Sequence, residues 1–418
     1  MWIRFLAALM LFFGCLVYAD KESFPRARPL TARKFERTQA RLARGKYLAE
    51  GLLQCFLCHS ERDWSKPGAP PLANKKGAGA ILHDDRDTFL ASPNITPDPE
   101  TGAGRWTDDM LARSIREGIG HDGRALHPLM WYRAFRNLSD EDTASIVVYL
   151  RSIPAVRKVT PPRRLTAQRE EMLKHQVEPL TAPVPEPDHF NRIEYAKYLM
   201  RAADCVGCHT SWYSDVNPGF FAGGNLIERD GHKAFSSNLT PDPTGIPYYN
   251  PDLFIEVMRT GKLRGARELS SLMPWIAYKN LNDEDLKAIF AFLQSLAPLR
   301  HAIDNTTHPT MCKLCGQLHG QGDRNQAYEV KPVKINPALL NTYQGQYRFS
   351  DGQILTIKRE DDHLVMDFVD SRSKLFPKSD TDFVGEKFAG ITQFVRDKNG
   401  KVGYVRDFSP FEPGIKIK

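Results

Sequence analysis

Cys55-Phe-Leu-Cys58-His59 and Cys205-Val-Gly-Cys208-His209 are the two stretches on which the reading of this chain turns. Each sets two thiols about one helical turn apart, with an imidazole directly after the second. That spacing lets both sulfurs add to porphyrin vinyl groups while the imidazole turns onto the iron, the pattern of covalent c-type haem. A disulfide or zinc pair that merely precedes a histidine is the competing reading. Cys55, Cys58, Cys205 and Cys208 are therefore expected to carry two haems, with His59 and His209 as axial iron ligands.

Working outward, the two stretches head two copies of one module. Asn94-Ile-Thr-Pro-Asp-Pro99 answers to Asn238-Leu-Thr-Pro-Asp-Pro243, and Leu129-Met130 to Leu272-Met273. Asn137-Leu-Ser-Asp-Glu-Asp142 answers to Asn280-Leu-Asn-Asp-Glu-Asp285, and the last two correspondences share an offset of 143. A repeat of this kind is read before any fold is assigned. Helices are expected before each cysteine pair, where Leu42, Tyr47 and Leu48, and then Tyr195, Tyr198 and Leu199, fall near helical spacing. Ser139-Asp-Glu-Asp142 and Asn282-Asp-Glu-Asp285 read as helix starts, a capping side chain followed by acids at the positive end of the dipole. The Gly- and Pro-rich middles read as loops around a cofactor.

The repeat also points to a second axial ligand. Met130 and Met273 occupy equivalent places on a loop before the last helix, and a thioether opposite histidine raises the potential and closes the iron to small molecules. A lone methionine is more often core filler. His121 and His127 compete for the position in module one, whereas module two has no histidine between Asn238 and Met273.

Composition narrows the function classes. The 418 residues are 41% hydrophobic and 26% charged with net charge +7, suited to two or three globular domains and an acidic protein partner. No clustered basic face with aromatic platforms suggests nucleic-acid binding. Arg4, the apolar run Phe5 to Val17 and Val17-Tyr18-Ala19 before Asp20 form an export-signal pattern. The run is short for a membrane span, and Gly14-Cys15 is a poor lipobox. A periplasmic protein is expected, with membrane association through a complex or a lipid anchor as the minor alternative.

On these residues the chain resembles the mono- and di-haem class I cytochrome c family, above all the cytochrome subunits of membrane-bound alcohol and gluconate dehydrogenases. The resemblance rests on the haem motifs, Asn94 to Trp106, Asp122-Gly123-Arg124, Leu129-Met130 and Leu138 to Asp142 in module one. In module two it rests on Ser236 to Gly245 and Leu272-Met-Pro-Trp275. It covers roughly residues 40 to 300 and implies electron transfer from a dehydrogenase or quinol-oxidising complex towards a terminal oxidase. Two departures stand out: Trp131 follows Met130 where the family usually has proline, and those subunits generally carry three haems against two complete motifs here.

A third pair, Cys312-Lys-Leu-Cys315, is followed by Gly316 and lacks the iron-ligating histidine. A local disulfide, zinc held with His308 and His319, or a non-standard haem are its three fates. Beyond it, Gln353 to Lys358, His363 to Val369 and Gln393 to Arg396 alternate apolar and polar residues, and Asp351-Gly352 and Asn399-Gly400 signal hairpins. This tail is similar to a small lipocalin-like domain of unknown function appended to some serine hydrolases and peptidases, through Tyr343-Gln-Gly-Gln-Tyr347, Ser350-Asp-Gly352 and Phe394-Val-Arg-Asp397.

The expected fold is mainly α: two tandem class I cytochrome c domains followed by a small antiparallel β domain. The boundaries are a signal over 1–19, module one over 38–155, a Pro-rich linker over 156–187, and module two over 188–299. A Cys-containing connector over 300–337 and the β domain over 338–418 complete the chain. The expected function is electron transfer rather than catalysis. The alternatives are a di-haem peroxidase with one open iron and an obligate cytochrome subunit of a dehydrogenase complex.

Overall fold

The computed structural model describes residues 25–211, 219–263, 267–303, 310–311, 318–319, 332–349, 354–368, 371–385, 391–406 and 414–417. Module one contains α1 (Gln39–Tyr47), a π-helical turn (Leu48–Leu52), α2 (Cys55–Cys58), the hairpin β1 (Ala80–Asp84) and β2 (Phe89–Ser92), α3 (Asp108–Glu117), α4 (Tyr132–Phe135) and α5 (Asp140–Leu150). After α6 (Ala167–Lys174) the plan recurs. Module two has α7 (Arg192–Ala202), α8 (Cys205–His209), the hairpin β3 (Leu226–Arg229) and β4 (His232–Phe235), and α9 (Pro251–Thr260). The short pair β5 (Lys262–Leu263) and β6 (Arg267–Glu268) precedes α10 (Trp275–Tyr278) and α11 (Asp283–Gln294).

The expected helix starts are capped by side chains. Ser139 accepts from the Asp142 N–H and Asn282 from the Asp285 N–H, each heading a first turn of three acids. α1 crosses α5 so closely that a Cβ on Gly45 would lie 1.9 Å from the Ser145 carbonyl oxygen, so the crossing admits only glycine. Gly118 and Gly261 end α3 and α9 at φ +69° and +68°, and each lies against an aromatic ring of the next helix, Tyr132 and Trp275 respectively.

The two modules share one apolar core. Leu52, Phe135, Val147 and Leu150 from the first join Leu199, Tyr278, Leu286 and Phe290 from the second. The stretch 156–187, expected as a linker, is packed on module one. Leu173 and Val177 form a small cluster with Ile119, Ala125 and Tyr132, and the Asp140 N–H donates to the Val184 carbonyl.

The tail closes into a barrel. After β7 (Thr310–Met311), β8 (Leu318–His319) and α12 (Pro337–Tyr343) come eight strands: β9 (Gly345–Arg348), β10 (Ile354–Glu360), β11 (His363–Phe368), β12 (Ser371–Pro377), β13 (Asp382–Gly385), β14 (Ile391–Arg396), β15 (Val402–Arg406) and β16 (Gly414–Lys416). Every pairing is antiparallel, and β16 returns to β9. Eight strands leave an interior just wide enough for side chains. Tyr347, Leu355, Ile357, Leu364, Phe383 and Phe394 fill it, with Leu340 and Tyr343 of α12 packed against them.

This barrel overturns the mainly-α expectation. The described α-helices run from 4 to 12 residues, separated by long loops, while eight strands close one sheet and short hairpins interrupt both modules. The molecule is mixed α and β. Among the described residues no helix is long and apolar enough to cross a membrane.

Candidate redox sites

In each module the cysteine pair occupies one short helix entered through a left-handed residue, Gln54 at φ 46° and Asp204 at φ 51°. All four cysteines are unbridged thiols. Burial raises the Cys55 and Cys205 thiols to about 12 and Cys208 to about 11, so all three are neutral at pH 7.

The histidine that follows is fixed in the same way twice. His59 Nδ1 lies 2.8 Å from the Pro93 carbonyl, and His209 Nδ1 lies 2.7 Å from the Ser237 carbonyl. A carbonyl only accepts, so Nδ1 carries the proton and Nε2 presents its lone pair. Burial lowers the pKa of both imidazoles, against the raising effect of those carbonyls, which favours the neutral, ligating form.

The structure also explains why the Asn-x-Thr-Pro-Asp-Pro word recurs. The accepting carbonyl belongs to the residue just before Asn94 or Asn238. Asn94 Oδ1 accepts from the Thr96 N–H (3.0 Å) and hydroxyl (2.7 Å), and its Nδ2 donates to the Val156 carbonyl beyond α5 (2.7 Å). Asn238 repeats this with Thr240 (2.9 and 2.8 Å) and the Leu299 carbonyl beyond α11 (2.8 Å). Both asparagines and both threonines are buried. The motif pins the loop that orients the histidine to the end of the last helix.

Met130 and Met273 sit in matching turns, their N–H groups donating to the His127 and Ser270 carbonyls at 3.0 Å each. Both are half-buried against the core that also receives Cys55 and Cys205. The turns then diverge: Trp131 is left-handed at φ 56°, whereas its counterpart Pro274 has φ −78°. Of the competing histidines, His121 is exposed and stacked on Trp106 (4.3 Å between rings, 12° apart). His127 Nδ1 accepts from the Leu129 N–H at 3.3 Å, which leaves the ring proton on Nε2 of the neutral imidazole.

Residues not singled out in the sequence join the modules at these sites. Gln54 Nε2 donates to the Tyr278 hydroxyl (3.0 Å), which donates to the Ala203 carbonyl (3.0 Å), so one tyrosine ties the approach to Cys55 to the approach to Cys205. Arg62 donates to the Ser271 carbonyl (2.9 Å), and Ser271 Oγ accepts from the Gly68 N–H (3.1 Å), two residues before Met273. Asp204 lies beside Cys205 and Cys208. Desolvation there raises its carboxyl to about 7, only partly offset by the Gly207 N–H.

The donor set fits a covalently held haem in each module: two unbridged thiols one turn apart and an imidazole oriented through its remote nitrogen. Cys312 and Cys315 lie outside the described residues, as do the proposed signal segment and Cys15. Among the described residues no cluster of three or more His, Cys, Asp or Glu side chains is arranged to hold a metal ion.

No family model matches the chain. It is 24% identical over 62% of its length to the cytochrome c subunit of alcohol dehydrogenase (quinone) from Gluconobacter oxydans, covering 55% of that protein. With the gluconate 2-dehydrogenase cytochrome c subunit of Pantoea cypripedii the identity is 36%, over 28% of this chain and 26% of that one. A nicotinate dehydrogenase subunit of Pseudomonas putida is 33% identical over 41% of this chain, a match that covers 14% of that protein. The chain thus spans about half or less of each of these three relatives.

Proposed function

We propose, from the premise that this chain is a relative of the cytochrome c subunits of alcohol, gluconate and fructose dehydrogenases and of a diheme c-type cytochrome, that it is a periplasmic one-electron carrier with two covalent haems. Cys55 and Cys58 would hold one haem and Cys205 and Cys208 the other, with His59 and Met130, and His209 and Met273, as the residues that would ligate iron. The observation that carries this reading is the duplicated imidazole, proton on Nδ1 towards a carbonyl and lone pair on Nε2, directly after two unbridged thiols. The haem supplies an iron that gains and loses one electron; the chain binds it, orients its ligands and excludes water.

A dehydrogenase is the proposed electron donor, and an obligate place in such a complex agrees with the relatives' names. The export pattern at the N-terminus and the oxidising compartment that suits it support the periplasm. For Cys312 and Cys315 a disulfide is the preferred fate, ahead of zinc.

Axial methionine at both irons distinguishes a carrier from a peroxidase. The reduced protein is expected to bind little carbon monoxide, and Met130→Ala to lower one midpoint potential, leave the other unchanged and open that one iron to the gas. Optical titration checks both. Saturable binding to one iron of the unaltered protein would favour an enzyme, and unchanged potentials in the variant would remove Met130 from the ligand set.

A further inference from the structure

The surroundings of the two cysteine pairs differ in charge. On the module-one side, Arg229 comes from the far end of β3 in module two and reaches across the junction, its Nη1 4.0 Å from Cys58 Sγ. Its buried Nε makes no hydrogen bond; the half-exposed Asp230 carboxylate stands 3.5 Å away. Arg62 faces the same sulfur and stacks over Trp64 at 4.3 Å. Its donors go to the neutral carbonyls of Ala69, Gly68 and Ser271 (2.7, 3.0 and 2.9 Å). Burial and repulsion from Arg229 bring Arg62 down to about 10, still protonated at pH 7. Glu61, nearby, is held by two lysines, Lys75 at 2.5 Å and Lys158 at 2.6 Å, and adds no net negative charge.

On the module-two side the position equivalent to neutral Gln54 is Asp204, whose carboxyl bears on Cys205 and Cys208. Adding an electron to a redox site adds one negative charge, which fixed cations favour and a carboxyl group does not.

We infer that Arg229, lent by the module-two hairpin, acts with Arg62 to make the Cys55/Cys58 site the more easily reduced of the two. The inference rests on the two-haem reading above. It makes Arg229 a positioning residue for charge and module two the side on which electrons arrive. It also makes the potential of module one depend on the junction being closed.

Arg229 is partly exposed on a surface hairpin, so its replacement spares the core. Equilibrium redox titration of Arg229→Gln, with thioether haems counted in the same sample, is the test. The reduction equilibrium of the higher-potential centre should shift about tenfold towards the oxidised form, about 59 mV for a one-electron couple, with the other centre within twofold. Arg229→Lys should keep most of the parent value, and Asp230→Asn should move the same centre the opposite way. Met130→Ala identifies the module-one centre and should displace the higher potential. The inference is overturned if Arg229→Gln moves neither centre or moves the lower one, or if Met130→Ala displaces the lower one. A parent protein without two thioether haems would overturn the haem reading and this inference together.

Discussion

At the scale of single residues, the chain uses neutral backbone carbonyls to set its imidazoles, and a buried ion pair elsewhere in module one. The Arg28 guanidinium donates to both Asp109 oxygens at 2.8 and 2.7 Å, and the Thr31 N–H adds a third bond at 2.7 Å. Burial alone would raise the Asp109 carboxyl, but the Arg28 and Thr31 bonds outweigh it and hold it at about 2. An acid depressed on folding stabilises above its ordinary pKa near 3.8, and that contribution fades as pH falls towards 2. At pH 6, Asp109→Asn should therefore lower unfolding stability by about 2 kcal/mol, and the difference should shrink steadily below pH 4. Denaturant titrations across pH 7 to 2 check this; a difference independent of pH would show that the contact is not electrostatic. Sequence reading gave Asp109 no role, because Arg28 is 81 residues away and no local period links them.

Elements meet across the junction by a reciprocal exchange. Tyr47 of module one donates to Asp285 of module two (2.5 Å) and accepts from the Asn282 N–H (3.3 Å). Tyr198 of module two donates to Asp142 of module one (2.6 Å) and accepts from the Ser139 N–H (3.2 Å). Each helix cap is thus completed by the other module, a pseudo-two-fold arrangement. The tyrosines stand eight and seven residues before their cysteine pairs, and the π-helical turn Leu48–Leu52 in module one takes up the extra residue. Both tyrosines were legible as helix positions and both acids as first-turn residues, but their pairing was not, since a repeat compares like with like and hides contacts between copies. Arg44 also pairs with Asp142, at 2.7 Å, whereas Asp285 depends more on its tyrosine. Tyr47→Phe should accordingly destabilise by about 1–3 kcal/mol by leaving a buried carboxylate short of a donor. Thermal unfolding measures it, and a shift within error would mean that water replaces the hydroxyl.

Over the whole molecule, the linear words were readable and the closures were not. Cys-x-x-Cys-His and Asn-x-Thr-Pro-Asp-Pro carry their meaning in adjacent residues, so both modules and their order could be drawn from the sequence. Alternation in Gln353 to Lys358 and His363 to Val369 announced the strands β10 and β11. The barrel itself depends on β16 returning to β9 some 70 residues away, a pairing set by curvature and register rather than by any local signal. The fold was therefore expected to be more helical than it is. Likewise Arg229 lies in an unremarkable hairpin, and only the junction brings it to Cys58.

Two covalent haems are tested most directly by the intact mass and absorption spectrum of mature protein made in a host that can attach c-type haem. The expected product is a red protein whose mass exceeds that of the processed chain by two haems, with Cys55, Cys58, Cys205 and Cys208 unavailable to alkylation. A colourless protein in which those four sulfurs alkylate freely, or bridge one another, would contradict the two-haem reading.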